Sequence, residues 1–328
     1  MAPHGHMPTC SHEHMTKLET RAAVVDLGTN TFNLLIYTRS GEGVRVLHSV
    51  ELPVFLGRGG IEKGVIAEDA FERGMDALRT HQATALSHGV EQLTGFGTSA
   101  LRNARNGPDF VRRVMEELGI AIRIIPGGQE AELILAGVRQ AVTFTKHPAL
   151  VMDIGGGSIE FILATDKALM WKRSFELGVT RLRERIPTSE PITIAEEARI
   201  AQHLDHHLEA LWAIIERHEP QLLIGSAGSF DTLASMVCAG QGTTLSDETS
   251  TLPFDASTFD ALKDQLLRLP RAERLLVPGL PEHRVDTIPY ALIAIERVLA
   301  AGSIRELAWS RYALKEGAAY TSSASSRV

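Results

Sequence analysis

In the stretch VMDIGGGSIE an apolar run ends on Asp153, passes through Gly155, Gly156 and Gly157, and resumes after Ser158 with a second carboxylate, Glu160. Glycine reaches conformations and close approaches that other residues avoid, so the triplet marks a tight turn or a ligand held against the backbone. Successive N–H groups in such a turn make a concavity for anions. The two flanking carboxylates would repel that anion unless a metal ion lay between them. An anion together with a divalent cation points to phosphate chemistry.

The chain that must position these groups has 328 residues, 44% hydrophobic and 22% charged. That is a soluble globular composition, long enough for two domains with a core in each. A net charge of −7 argues against a generic nucleic-acid or membrane-surface binder. A polyanionic ligand would need a local basic patch working against the global sign. Cys10 and Cys238 are the only cysteines, so no disulfide framework is expected. No apolar run reaches membrane-spanning length and no basic-then-apolar leader opens the chain, so a cytoplasmic address is expected. Residues 1–19 hold His4, His6, His12, His14 and Cys10, all transition-metal ligand types, but lack apolar periodicity and read as a disordered tail. His203 and His207 are spaced to share a metal on one helix face. The apolar stripe Leu204, Leu208, Leu211 and Trp212 instead makes them the wet side of an amphipathic helix.

An internal repeat organises the rest. AVVDLGTNTFNLLIY, from Ala23, matches LVMDIGGGSIEFILA, from Leu150, so that Asp26 and Gly28 fall on Asp153 and Gly155. A second pair, LTGFGTSAL from Leu93 and LIGSAGSFD from Leu223, follows in the same order. Each reads as a strand entering a Gly/Ser/Thr turn, which argues for two similar halves. The first half opens with a hairpin over 22–38. Helices are then expected over 67–87, 99–118 and 130–144, with strands near 91–96 and at AIRIIP. The second half repeats the hairpin and continues with a helix over 195–218; the turn-rich region 239–255 reads as a surface insertion. Antiparallel hairpins followed by helix-separated strands predict mixed-sheet α/β domains. Facing one another, they would turn the loops after Asp26 and Asp153 into one cleft, a preferred place for a small ligand.

These segments, with GTSALRNARN, IIPGGQEAELILAGV, FELGVTRL, GSAGSFDTLA, VPGLPEHRVDTI and RYALKEGAAY, resemble the exopolyphosphatase / guanosine pentaphosphate phosphatase family within the actin–Hsp70–sugar-kinase superfamily. The matches run in family order from about residue 20. The resemblance implies an α/β protein of two ribonuclease-H-like (actin-like ATPase) domains, 20–131 and 132–328, with an interdomain cleft and a last helix packing back on the first domain. It implies Glu130 as catalytic carboxylate and Asp153 and Glu160 as ligands of Mg²⁺. Gly155, Gly156, Gly157 and Ser158 would wrap one phosphate, Gly28, Thr29 and Asn30 another, and Arg102 would contact phosphate. Thr29 stands where the family usually has serine and keeps the hydroxyl, and Pro289-Tyr290 departs from a more open pattern.

The chemistry then expected is removal of terminal phosphate from inorganic polyphosphate. The alternatives are the same reaction on guanosine pentaphosphate, non-catalytic binding of that alarmone, or a kinase of the same fold. Neither nucleic acid nor membrane is an expected partner, and a homodimer stays open. Mg²⁺ takes one or two carboxylates with several waters, which suits the Asp153–Glu160 pair. Glu130 otherwise reads as a helix N-terminal carboxylate favoured by the macrodipole. Lys172, Arg173, Arg181, Arg183 and Arg185 form a basic run that either guides a polyanion or is a solvated face. No G-x-x-x-x-G-K-[ST] loop is present, so a P-loop enzyme is excluded.

Overall fold

The computed structural model describes residues 20–40 and 43–321. The His-rich segment, with Cys10, and the C-terminal SSASSRV lie outside them. Eleven strands are described, β1 (Thr20–Leu27), β2 (Thr31–Ser40), β3 (Gly43–Pro53), β4 (Leu93–Gly97), β5 (Ala121–Ile124), β6 (Ala149–Ile154), β7 (Ile159–Ala164), β8 (Leu169–Phe175), β9 (Leu222–Ser226), β10 (Thr251–Asp255) and β11 (Glu306–Ser310). They build two sheets, ordered β3-β2-β1-β4-β5 and β10-β11-β9-β6-β7-β8. In each, the hairpin partner of the first strand is antiparallel and the strand on its other side parallel. The second sheet therefore repeats the first, with β10 added antiparallel at its edge.

Strand alternation decides which side chains reach the space between the sheets. In β1, Ala23, Val25 and Leu27 pack into the first half's own core, while Val24 faces the inter-sheet core. In β6, Leu150, Met152 and Ile154 pack into the second half's core, and Val151 faces its counterpart. Asp26 and Asp153 each lie two residues beyond Val24 and Val151, and so share that inward face. Glu160, two residues before Ile162, joins them on β7. β6 and β7 are buried along their whole length, which explains their continuous apolar spelling.

Two helices, Gly127–Ala141 and Leu314–Thr321, fill the gap between the sheets through Ile134, Val138, Leu314 and Ala318. They cross almost backbone to backbone. A Cβ on Gly317 would overlap the Leu133 carbonyl oxygen, and one on Gly137 would overlap that of Ala313.

Three elements differ from the sequence reading. The helix expected over 99–118 is two, Ser99–Asn103 and Gly107–Leu118. Pro108 has no N–H to bond the Ala104 carbonyl, and the Asn106 side chain bonds both Ile66 N and O at the break. The helix over 195–218 divides at Leu208. There the indole N–H of Trp212 takes the Asp205 carbonyl, at 3.1 Å, that a continuous helix would give to Glu209. The region 239–255 ends in strand β10, whose Pro253 is tolerated because an edge strand needs donors on one side only. Among the described residues no helix is long and apolar enough to cross a membrane.

Candidate active site

The parallel-sheet ends of both halves open onto one cavity of about 90 Å³. Its lining includes Asp26, Gly28, Thr29, Asn30, Glu130, Asp153, Gly155, Gly156, Gly157, Ser158 and Glu160. Ten of the eleven residues singled out from the sequence as site residues are thus brought together, along with Asp26. Arg102, the eleventh, does not line the cavity.

The glycine loop is shaped by close approach. None of its three glycines has a positive φ. A Cβ on Gly156 would sit 2.7 Å from the Asn30 side chain, and one on Gly157 2.5 Å from the hydroxyls of Thr29 and Ser99. The phosphate-loop candidates of the two halves are therefore pressed against each other. The carbonyls of Gly155, Gly156 and Gly157 accept from the N–H groups of Val179, Thr180 and Gly178. Among the described residues nothing accepts from the N–H of Gly156 or Gly157. The loop thus presents acceptors to the Val179–Arg185 helix and keeps donors for the cavity, which is the polarity an anion requires.

The carboxylates are short of positive charge. Asp153 is the cross-strand partner of Glu160 and the parallel neighbour of Ser226, whose hydroxyl donates to Asp153 Oδ2 at 2.6 Å. Burial pushes Asp153 up to about 6, against the pull of Ser226 and of the Lys315 ammonium. Glu160 accepts from Ser174 Oγ at 2.6 Å; burial, then Glu130 and Asp153, hold it well above the usual carboxylate range. Asp26 is raised by burial and by the same two neighbours, and its Oδ1 is buried without a hydrogen-bond partner. Beside Ser226, Ala227 keeps a left-handed φ of 65°, strain of about 1–2 kcal/mol for a residue with a Cβ.

Glu130 stands in the first turn of the Gly127–Ala141 helix, 6% exposed. Arg102 Nη1 donates to Glu130 Oε2 at 2.7 Å and to the Ile125 carbonyl at 3.1 Å, while Nη2 reaches Glu176 at 3.1 Å. Burial raises Glu130 to about 7; Arg102 pulls it down while Asp153 and Glu176 push it up. A carboxyl near neutrality suits proton transfer at physiological pH. In this arrangement Arg102 serves Glu130 and Glu176, not the cavity.

All the acidic ligand candidates are oxygen donors, the set hard cations such as Mg²⁺ prefer. Among the described residues no group of three or more His, Cys, Asp or Glu is gathered as a metal cage. The buried, unpartnered Asp26 Oδ1 and the adjacent buried Asp153–Glu160 pair fit a cation held by one or two carboxylates with its other ligands from outside the chain. His203 and His207 form no such cage; His207 Nδ1 meets the His203 carbonyl at 2.8 Å.

The basic run is not an open track. Lys172 pairs with Glu132, Arg181 with Glu62 and Glu176, Arg183 with Asp286, and Arg185 with Glu62. Arg173 lies over the Phe175 ring. Sequence reasoning assigned no role to several cavity-lining residues. Asp26 was marked by the repeat, and Asn33 is its β2 partner, in the register that pairs Asp153 with Glu160. Asp231, Arg284 and Lys315 lie in segments matched to the family but were given no role, and Glu51 lies outside them; all four reach the cavity from elements far apart in the chain.

Two sheets of one topology, each with an aspartate one residue before the end of its first strand and lining a shared cavity, define an actin-like ATPase fold built from ribonuclease-H-like units. Within that class the chain belongs to the Ppx/GppA phosphatase family, whose model matches residues 35–326. It is accordingly an enzyme, a hydrolase of the phosphatase type. A crystal structure of an exopolyphosphatase from Cytophaga hutchinsonii is 37% identical, with a TM-score of 0.89 over 92% of this chain and 97% of that one. A Haemophilus influenzae protein named "Putative exopolyphosphatase" is 28% identical over 91% of this chain and 90% of its own length. The Aquifex aeolicus PPX-GPPA enzyme, at 22% identity, shares the fold, with a TM-score of 0.75 over 91% and 98% of the two chains.

Proposed function

We propose that this protein is an exopolyphosphatase that hydrolyses the terminal phosphoanhydride of inorganic polyphosphate with Mg²⁺, using a cleft between domains 20–131 and 132–328. The observation that carries the reading is the loop at Gly155–Ser158, which keeps N–H donors for a cavity whose other wall is carboxylate. The exopolyphosphatase name of the 37% identical relative supports polyphosphate as substrate.

In this reading Gly155, Gly156, Gly157 and Ser158 bind the terminal phosphate, and Gly28, Thr29 and Asn30 the next. Asp153 and Glu160, with Asp26, hold Mg²⁺, which when bound neutralises charge on the phosphates. Glu130 orients a water in line with the terminal P–O bond. Its Oε2 is engaged by Arg102, leaving Oε1 to accept the water's proton as the oxygen attacks phosphorus and the bridging bond breaks. The shortened chain leaves as the phosphate-terminated fragment, and Glu130 then returns its proton to solvent.

The test is release of orthophosphate from polyphosphate and, in parallel, from guanosine pentaphosphate, without any acceptor. Polyphosphate should be the better substrate by kcat/KM. Turnover confined to guanosine pentaphosphate would replace the substrate, and release from neither would overturn the hydrolytic reading.

A further inference from the structure

The cavity lining carries six carboxylates, from Asp26, Glu51, Glu130, Asp153, Glu160 and Asp231, against three cations, Arg284, Arg311 and Lys315. Beside the loop N–H donors and the Mg²⁺ of the reading above, a polyanion entering such a site gains from any cationic N–H group available to it. Two of the cations have part of their N–H groups engaged. Arg284 Nη2 donates to both oxygens of Glu51, at 3.2 and 3.1 Å. Arg311 donates to the carbonyls of Thr249 and Ser246, at 2.7 and 2.6 Å, and lies over the Trp309 ring.

Lys315 differs. Its ammonium has three donors. Among the described residues it meets one partner, Glu316, at 3.0 Å. The side chain is 18% exposed and lines the cavity, which leaves two of its donors without a partner among the described residues there. Glu316 is fixed in turn, because its Oε2 accepts from Ala313 N at 2.9 Å at the start of the same helix. That helix is locked by the Gly317–Gly137 crossing onto the helix that carries Glu130. The lysine is therefore carried on a helix packed tightly against the one that carries the carboxylate assigned to activate water.

We propose that Lys315 is a substrate-contacting residue, its ammonium binding phosphoryl oxygens of the polyphosphate chain beside the Gly155–Ser158 loop. The assignment rests on the phosphoanhydride reading above. Despite burial, the neighbouring Glu316, Asp231 and Asp26 hold its pKa up, so the charge is present when substrate arrives. An ammonium acts there as a point charge, able to follow phosphates that shift as the chain is shortened.

The experiment measures inorganic tripolyphosphate binding by calorimetry, with Mg²⁺ present, in Lys315→Met and Lys315→Arg, each in a Glu130→Gln background. Steady-state kinetics of the single Lys315 variants run alongside. Loss of one ion contact in a dry site should weaken tripolyphosphate binding about tenfold or more in Lys315→Met, while Lys315→Arg stays within about threefold of the parent. KM should rise more than kcat falls. Should Lys315→Met not fold, the double variant Lys315→Met/Glu316→Gln removes both charges of the pair and keeps the acceptor for Ala313. Unchanged tripolyphosphate affinity in a folded charge-removed variant would overturn the assignment, as would equal loss in Lys315→Arg and Lys315→Met. Affinity lost as expected in a protein whose wild type turns over neither phosphoanhydride would leave Lys315 a phosphate ligand and refute only the activity.

Discussion

Replacing Arg102 by glutamine should move the pH profile of the enzyme in a direction the cavity already dictates. Glu130 lies at about 7 because burial raises it while Arg102, its 2.7 Å partner, opposes that rise. Removing the guanidinium leaves burial and the negative charges of Asp153 and Glu176 unopposed, so the protonated form gains. A hydrogen bond to a charged group is worth about 1.5–3 kcal/mol, and a pKa unit about 1.4 kcal/mol. The Glu130 pKa should then climb by about one to two units. As a base, Glu130 works only when ionised, so the acid limb of kcat/KM shifts to higher pH by the same amount. At pH 7 the ionised fraction, and with it the rate, drops about five- to fiftyfold, and most of the loss is recovered by about pH 9. A bound cation lowers the limb in wild type and variant together, so their separation survives. The assay is kcat/KM on polyphosphate from pH 5.5 to 9.5 at saturating Mg²⁺. A uniform loss at every pH, with the limb unmoved, would refute the claim that Arg102 acts through Glu130.

Three further outcomes follow from the same geometry. Burial alone would raise Glu51, but His283 and Arg284 lower it to about 2; its contribution to stability is therefore complete above the unfolded value near 4.5 and is lost as pH falls through about 2. Glu51→Gln should accordingly lower the melting temperature most at neutral pH and converge with wild type near pH 2; a constant difference across that range would contradict the pairing. Gly317→Ala inserts a methyl against the Leu133 carbonyl, an overpacking cost of about 1–3 kcal/mol or more. It should lower the melting temperature by several degrees and reduce turnover, and a neutral result would mean the helices separate freely. Because all of the Lys172–Arg185 run but Arg173 is paired with acids, a long polyphosphate should be gripped only in the cleft. Intermediate lengths should appear in a gel time course, and direct conversion of full-length chains to phosphate would show a longer track.

The parts of the site legible in the sequence were those written twice or written as backbone. Asp153, its glycine loop and Glu160 are contiguous, and the repeat aligned Asp26 with Asp153 before either had a partner in space. The period-2 alternation of β1 and β6 then sufficed to turn both aspartates to one side. Glu130 was found by its motif, but its elevated pKa was not, since burial in the folded chain raises it, with Asp153 and Glu176 adding to the rise and Arg102 opposing it. Arg102 was expected from the resemblance to contact phosphate; in the structure its guanidinium pairs with Glu130 and Glu176, which no local pattern foretells. Lys315 stood inside the matched segment RYALKEGAAY, but its place in the cavity was not legible, for a related reason. Its place depends on two glycines 180 residues apart that let two helices touch, and no local pattern encodes that contact. Helix lengths failed where a single atom decided, at the missing N–H of Pro108 and the extra one of Trp212.

The measurement that bears most directly on the proposed chemistry is steady-state hydrolysis of polyphosphate by Glu130→Gln beside wild type. Glutamine keeps the shape and the hydrogen bond with Arg102 within reach but accepts no proton. Since Glu130 is assigned to the attacking water and not to the phosphates, kcat should drop about 10²–10⁴-fold while KM changes by no more than a few-fold. A variant that keeps most of its turnover, or one that loses it through KM alone, would remove Glu130 from the mechanism and leave the cleft without its base.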